Sequence, residues 1–178
     1  MQGDSAVRSE SFFSVKIASL QKLIEALRNE LQQYGEMLAL LDQQQQLIRL
    51  RGADDILRSL EAISEQSTAI QAARENRRSL QQEVARDLGQ PENSTFAVLL
   101  PLFPPPYRPL VSALVQENNE LLQRVRQSAQ KNQTMLRQSL DYMQRFVSAL
   151  AGADQPVIAG DPHLLPVQSG SALYEAIA

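Results

Sequence analysis

Residues 13–48 read FSVKIASLQKLIEALRNELQQYGEMLALLDQQQQLI, and their apolar residues recur in alternating steps of four and three. The series comprises Phe13, Ile17, Leu20, Ile24, Leu27, Leu31, Tyr34, Leu38, Leu41 and Ile48, with Gln45 as its polar lapse. This spacing places apolar side chains along one stripe of an α-helix, as in a coiled coil. The stretch therefore predicts one long amphipathic helix, over about residues 13–51, that packs against other helices.

A second helix is predicted over about residues 54–88. Gly52 ends helix one at a position where a left-handed glycine is expected, and Asp54 is the predicted N-cap of helix two. Polar residues at inward positions weaken the seam of this helix, namely Ser67, Arg74, Arg77 and Gln81. The middle of helix two is therefore expected to have one wet side or to lie at the edge of the bundle.

Prolines interrupt the helical pattern between residues 90 and 109, because proline lacks an N–H and its ring clashes with the preceding turn of a helix. The apolar residues 96–103 are expected to fold back as a short turn of helix, and an exposed surface for a partner is the alternative. Pro109 suits the first turn of a third helix, over about residues 108–151. The sequence thus predicts an all-α fold, with three long helices in an antiparallel, coiled-coil-like bundle and a proline-rich bend before the third helix.

The bundle is expected to occupy residues 12–151, after a flexible N-terminus over residues 1–11. Residues 152–178 are rich in Gly, Pro, Ser, Ala and Asp, which predicts a flexible, disordered C-terminal tail. Within helix three, Asn132 falls at an inward position. A buried amide there would fix the register at a cost in stability, and a surface-facing amide is the alternative.

Composition argues against catalysis. The chain has no Cys and a single His, His163, which lies in the predicted tail, so no His- or Cys-based nucleophile or metal site can be built on the helices. No catalytic residue, metal or cofactor is predicted. The net charge of −3 gives no general attraction to nucleic acid, and the cluster Arg74, Arg77 and Arg78 is interpreted as a solvated helix face.

Localisation follows from the apolar segments. The longest of them, residues 96–103, is far shorter than the ~20 residues that cross a bilayer, so no stable membrane insertion is expected. The first residues lack the basic and apolar regions of a secretory signal, which favours the cytoplasm.

Two segments of helix three, residues 114–122 (LVQENNELL) and 131–142 (KNQTMLRQSLDY), carry a resemblance to a known family, together with Leu173 and Tyr174 in the tail. With the three helices, they resemble the FlgN family of flagellar type III export chaperones. In residues 131–142, Asn132 is followed by Leu136, Leu140 and Tyr142, similar to the family's Asn, Leu pair and aromatic residue.

The resemblance implies a bacterial chaperone that holds the flagellar hook–filament junction proteins in the cytoplasm, prevents premature assembly and delivers them to the flagellar export gate. In that family the C-terminal helix region takes up the helical end of the cargo, and a tail tyrosine contributes to docking on the gate. Leu173 and Tyr174 match the family's Leu-Tyr. The family commonly continues with Gly and an acidic-Gly pair, whereas residues 175–178 read EAIA here.

A stripe on helix three is the predicted cargo-binding surface, because helices one and three need more apolar cover than helix two provides. Its members are Leu136, Leu140, Met143, Val147 and Leu150. An amphipathic cargo helix in this groove would gain about 1.5–3 kcal/mol per covered side chain, before the ordering cost of association. The alternative function is a homodimeric coiled-coil scaffold, in which the first seam pairs with its own copy.

Overall fold

The structure is a computed structural model that describes residues 4–50 and 52–150, with side chains for residues 17–50 and 52–149. Its elements are α1 (Asp4–Leu50), α2 (Ala53–Asp87), α3 (Phe96–Leu99), a 3₁₀ turn (Leu100–Leu102) and α4 (Arg108–Leu150). The described ranges contain no strand, so the predicted all-α class is confirmed. The long helices α1, α2 and α4 pack together through buried apolar side chains.

Helix α1 begins at Asp4, earlier than the predicted start near residue 13. Residues 4–11 are therefore helical, and the flexibility of the N-terminus over residues 1–11 stays a prediction. The physical reason for the earlier start is that no Pro or Gly interrupts the chain between Asp4 and Gly35, so nothing in the sequence limits the helix to a start near residue 13.

The glycines that follow α1 and α2 differ in conformation, and Gly52 is not the left-handed residue that was expected. Gly52 follows α1, but among the described glycines only Gly89 has a positive φ, of 68°. The Gly52 carbonyl instead accepts the Ile56 N–H at 2.9 Å, so Gly52, and not Asp54, is the residue before α2. At the end of α2, the Gln90 N–H donates to the Ala85 carbonyl at 2.8 Å, which closes a Schellman-type cap around Gly89.

The described residues fall into two compact units. Residues 4–35 and 68–122 belong to the first unit, and residues 36–50, 52–67 and 123–150 to the second. The predicted single bundle over residues 12–151 stays a prediction, and the predicted tail over 152–178 lies outside the described residues.

The first unit has a continuous apolar core. Buried residues of α1, α2, the 96–103 segment and α4 form it: Leu20, Leu23, Ile24, Leu27, Val84, Ala85, Leu99, Phe103, Val111 and Leu114. Leu99 and Phe103 are buried as expected for a segment folded back on the helices, whereas Val98 and Leu102 are exposed. The segment therefore contributes to this core with one side only.

A buried ion pair lies beside that core. Arg77 donates from Nε to Oε2 of Glu30 at 2.8 Å, and the Tyr34 hydroxyl donates to Oε1 of Glu30 at 2.9 Å. The Glu30 side chain is only 4% exposed and that of Arg77 23%. Interpreting Arg77 as part of a solvated face is therefore wrong, because its partner is a buried carboxylate 47 residues away in the chain.

The second unit mixes apolar and polar burial. Its buried apolar residues are Met37, Leu41, Ile48, Ile63, Val125 and Ala129, and its buried polar residues are Gln44, Gln45, Ser67 and Asn132. Asn132 thus adopts the buried alternative rather than the surface-facing one. Among the described helices, none has a stretch long and apolar enough to cross a membrane.

Candidate partner-binding surface

The alignment of α4 with α1 determines which part of α4 is covered in the second unit. Asn132 donates from Nδ2 to the Leu41 carbonyl at 2.8 Å, across a separation of 91 residues. The first unit repeats this relation, because Asn118 donates to the Leu27 carbonyl at 3.0 Å with the same separation of 91. In the second unit the same separation places Leu50, the last residue of α1, level with residue 141.

Helix α4 continues past that level to Leu150, so its last nine or so residues extend about 13 Å beyond the end of α1. The consequence is visible in the exposure of the side chains. Val125, Ala129 and Asn132 are buried and Leu136 is half-buried, whereas every residue from 140 to 149 is exposed. The inward stripe of α4 therefore becomes a surface stripe where α1 ends.

The predicted cargo-binding residues lie on this surface stripe. Leu140 is 54% exposed, Met143 44% and Val147 63%. Leu136 stands at the inner end, and the side chain of Leu150 is outside the described residues. The geometry thus brings the described members of the predicted set onto one side of α4, in steps of three or four residues.

Two aromatic residues widen the stripe and were missed by the sequence analysis as site residues. Tyr142 is 69% exposed and Phe146 is 64% exposed. At about 100° per residue they lie one turn apart and directly beside the stripe, so close to half of the helix circumference is apolar. Their spacing of four residues indicates that both lie on the same side of the helix. A search for one heptad stripe does not include them, because they lie beside that stripe and not on it.

A groove of about 540 Å³ lies between the last turn of α1 and α4, on the Tyr142 side. Its lining residues are Ile48, Arg49, Met135, Gln138, Ser139, Asp141, Tyr142 and Arg145. Nearby in the same unit, Leu50 at the end of α1 and Leu57 in α2 are 79% and 61% exposed. The end of the second unit therefore presents several large apolar side chains at its surface.

The arrangement is suited to binding another helix. Within the described ranges, no group of three or more His, Asp or Glu side chains is placed to hold a metal ion. The predicted gate-docking residues Leu173 and Tyr174, and also His163, lie outside the described residues. What the described surface offers is an amphipathic helix with an uncovered apolar side, which can pack against another helix.

Comparison with known proteins adds one match. A family model described as FlgN protein matches residues 19–159, about four-fifths of the chain. No curated protein and no solved structure matches the chain. The matched range contains the whole stripe from Leu136 to Leu150, whereas Leu173 and Tyr174 lie beyond it.

Proposed function

Because the chain belongs to the FlgN family of flagellar export chaperones, we propose that it holds flagellar hook–filament junction proteins in the cytoplasm. It binds their helical ends, prevents premature assembly and delivers them to the flagellar type III export gate. It is not an enzyme in this proposal and needs no cofactor or metal.

The observation that carries the proposal is the uncovered stripe on the last turns of α4. Leu140, Met143 and Val147 are 44–63% exposed on a helix whose preceding inward residues are buried. A soluble helix normally hides such a stripe against its own fold. A cargo helix that lies along α4, in the space beyond Leu50, would cover the stripe and the adjacent aromatic pair.

The expected affinity is moderate. Each fully covered apolar side chain contributes about 1.5–3 kcal/mol, and association costs on the order of 4–15 kcal/mol in lost freedom. Covering the stripe alone would therefore leave a small surplus, and covering Tyr142 and Phe146 as well would increase it. A chaperone that must release its cargo at the gate requires binding of this reversible kind.

The proposal includes a finer architecture than the all-α class. In it, the long helices form an antiparallel, coiled-coil-like bundle, with a proline-rich bend before α4 and a flexible C-terminal tail. Cross-helix contacts in the first unit support the opposite directions of α1 and α2: Ser19 contacts Glu83 at 3.5 Å, and Glu30 contacts Arg77 at 2.8 Å. The partner's number falls as the number in α1 rises, as it does between antiparallel helices.

A charge in the stripe tests the binding surface. Leu140→Asp should weaken binding of a junction-protein helix at least tenfold, because the complex would bury an unpaired carboxylate. The measurement is calorimetric titration with the helical terminal segment of a junction protein from the same cell. Ser148→Asp adds the same charge on the side of α4 that faces away from the stripe and from Phe146, and it should leave binding unchanged. Undiminished binding by a helical Leu140→Asp protein would remove the stripe as the cargo site.

Docking on the export gate is assigned to Leu173 and Tyr174. Tyr174→Ala, or truncation of the chain after Gly152, should spare cargo affinity and reduce export of the junction proteins. Export is measured as junction protein in the culture supernatant, and cargo affinity by the same titration. If the truncated chain no longer binds cargo, the principal recognition surface lies in the tail and not on α4.

A homodimeric scaffold is the second candidate, because the exposed apolar end of the second unit would also fit its own copy. Light scattering separates the two functions. The chaperone proposal expects a one-to-one complex with cargo, whereas a tight dimer that does not bind junction proteins would favour the scaffold.

A further inference from the structure

A layer of polar side chains crosses the second unit and connects its three helices. Asn132 of α4 donates from Nδ2 to Oε1 of Gln44 at 2.8 Å, and Gln44 of α1 donates to the Ser59 hydroxyl of α2 at 3.3 Å. Gln45 donates to the Ser128 hydroxyl of α4 at 3.1 Å. These five residues, Gln44, Gln45, Ser59, Ser128 and Asn132, are called the polar layer below.

The polar layer is costly to bury. Gln44 and Asn132 are both 0% exposed, and Gln45 is 9% exposed. Oδ1 of Asn132 has no hydrogen-bond partner in the described part of the chain. Hydrogen bonds within such a layer offset the loss of water contacts only in part, and apolar residues of similar size often serve stability as well or better.

The polar layer does favour one alignment of α4 with α1, because its hydrogen bonds form at only one axial position. Leu41 and Ile48 are buried apolar residues of α1 one heptad apart, and either could face α4 on hydrophobic grounds alone. A shift of α4 by one heptad toward the start of α1 would move Asn132 about 10 Å away from the Leu41 carbonyl. Gln44 would then lose Asn132, and Gln45 would lose Ser128, which leaves buried amides facing apolar side chains. Polar residues in apolar seams are known to fix register in this way.

We propose that the polar layer is the device that fixes the pairing of α4 with α1 and α2 in the second unit, at one axial position. Asn132 is then a positioning residue for the stripe, since Leu136 follows one turn later on the same side. The alignment determines that α1 ends level with residue 141 and that Leu140, Met143 and Val147 remain uncovered. This consequence for the stripe rests on the proposed function, but the pairing itself does not.

Disulfide cross-linking can report the alignment, because the chain has no cysteine of its own. Arg49→Cys with Ser139→Cys reports the observed alignment, since both residues line the groove between α1 and α4. Asp42→Cys with Ser139→Cys reports an alignment shifted by one heptad. Each pair is introduced into the full chain with an intact polar layer, and into a chain with Gln44→Leu, Gln45→Leu and Asn132→Leu. The rates of disulfide formation are then compared.

With the layer intact, the first pair should form its disulfide at least about tenfold faster than the second, a ratio equivalent to ~1.4 kcal/mol. With the apolar layer, the ratio should fall to about threefold or less, while the chain remains helical and resists urea at least as well. An unchanged ratio in the apolar-layer chain would overturn the proposal. So would a similar rate for both pairs in the parent.

Two further variants distinguish register from mere packing. Met37→Leu changes a buried apolar residue of the same unit at nearly constant volume and should keep the parent ratio. The exchange Gln44→Asn with Asn132→Gln keeps an amide on each helix and should restore the ratio toward the parent value. If the triple variant fails to fold, the pair Gln44→Leu with Asn132→Leu serves instead, with the same expected fall in ratio.

Failure of this proposal and failure of the proposed function are separable. The cross-linking rates involve no partner, so an unchanged ratio removes the register device and leaves the stripe untouched. Conversely, undiminished cargo binding by Leu140→Asp removes the stripe and leaves the cross-linking result standing.

Discussion

The contact of Arg77 with Glu30 changes the interpretation of Arg77 from a solvated residue to one half of a buried ion pair. Its neighbours Arg74 and Arg78 made a solvated helix face the natural interpretation, and the sequence contains no signal that pairs it with Glu30 of another helix. Removing one partner of a buried pair is costly, because it strands the other charge away from water. Arg77 therefore stabilises the first unit chiefly by satisfying Glu30.

Arg77→Met should accordingly lower the free energy of unfolding by about 3–5 kcal/mol, measured by urea denaturation at neutral pH. Arg78→Met, one residue further along α2 and exposed, should change it by no more than about 0.5 kcal/mol. Equal effects of the two substitutions would contradict the burial of the pair.

Tyr34 gives the first unit a predicted sensitivity to alkali. Burial, and then the nearby Glu30 carboxylate and its hydrogen bond, raise the pKa of the Tyr34 hydroxyl well above its ordinary value near 10. Below pH ~10 the hydroxyl is protonated in both the folded and the unfolded chain, so its contribution to stability is constant. Above that pH the unfolded chain loses the proton and the folded chain keeps it, which favours unfolding.

The free energy of unfolding should therefore fall above pH ~10, with a contribution from Tyr34 that approaches 1.4 kcal/mol per pH unit. Tyr34→Phe should remove this contribution while losing the hydrogen bond to Glu30 at all pH values. Urea denaturation between pH 8 and 11 measures both effects. The same steepness in the two proteins would show that Tyr34 is not the group responsible.

Among the elements, α1 tolerates a glycine in its middle. Gly35 is helical, and a Cβ placed on it would meet no atom within 4 Å. Since glycine costs a helix interior about 1 kcal/mol relative to alanine, Gly35→Ala should stabilise the chain by roughly that amount in urea denaturation. A loss of stability would indicate that Gly35 permits a conformation that alanine does not, for example a bend in α1.

The heptad steps of residues 13–48 were sufficient to predict α1, and similar steps predicted α2 and α4 with ends near the observed ones. The chemistry of the helix ends was harder to predict. Gly52 and Gly89 look alike in sequence, yet only Gly89 takes a positive φ, because the bonds that follow each glycine differ. The local sequence identifies the glycine at which a helix ends. The conformation of that glycine depends on the hydrogen bonds that its neighbours make.

For α4, the stripe was predictable but its exposure was not. Leu140 and Val147 continue the steps of three and four residues that connect the buried residues earlier in the helix, so sequence alone assigns them to the same side. Whether that side is covered depends on where α1 stops relative to α4, and this is a tertiary property set by contacts such as Asn132 with Leu41. Tyr142 and Phe146 became recognisable as part of the surface only once their exposure was known.

Over the whole molecule, the two units differ in the kinds of polar side chain that they bury. Both units bury an amide of α4, Asn118 in the first and Asn132 in the second, but the first unit adds a buried ion pair and the second adds Gln44 and Gln45. Gln45 stood out in the sequence as a lapse in an apolar seam, and Asn132 as an amide at an inward position. Their partners, Ser128 and Gln44, are 83 and 88 residues away, which no local pattern reveals.

The central claim is that the uncovered stripe at the end of α4 recognises a partner helix, and amide hydrogen exchange tests it most directly. The exchange of every peptide is measured in the free chain and in its complex with a junction-protein helix. We predict that binding slows exchange most strongly within residues 136–149 of α4. Unchanged exchange in that range, together with protection elsewhere in the chain, would contradict the account.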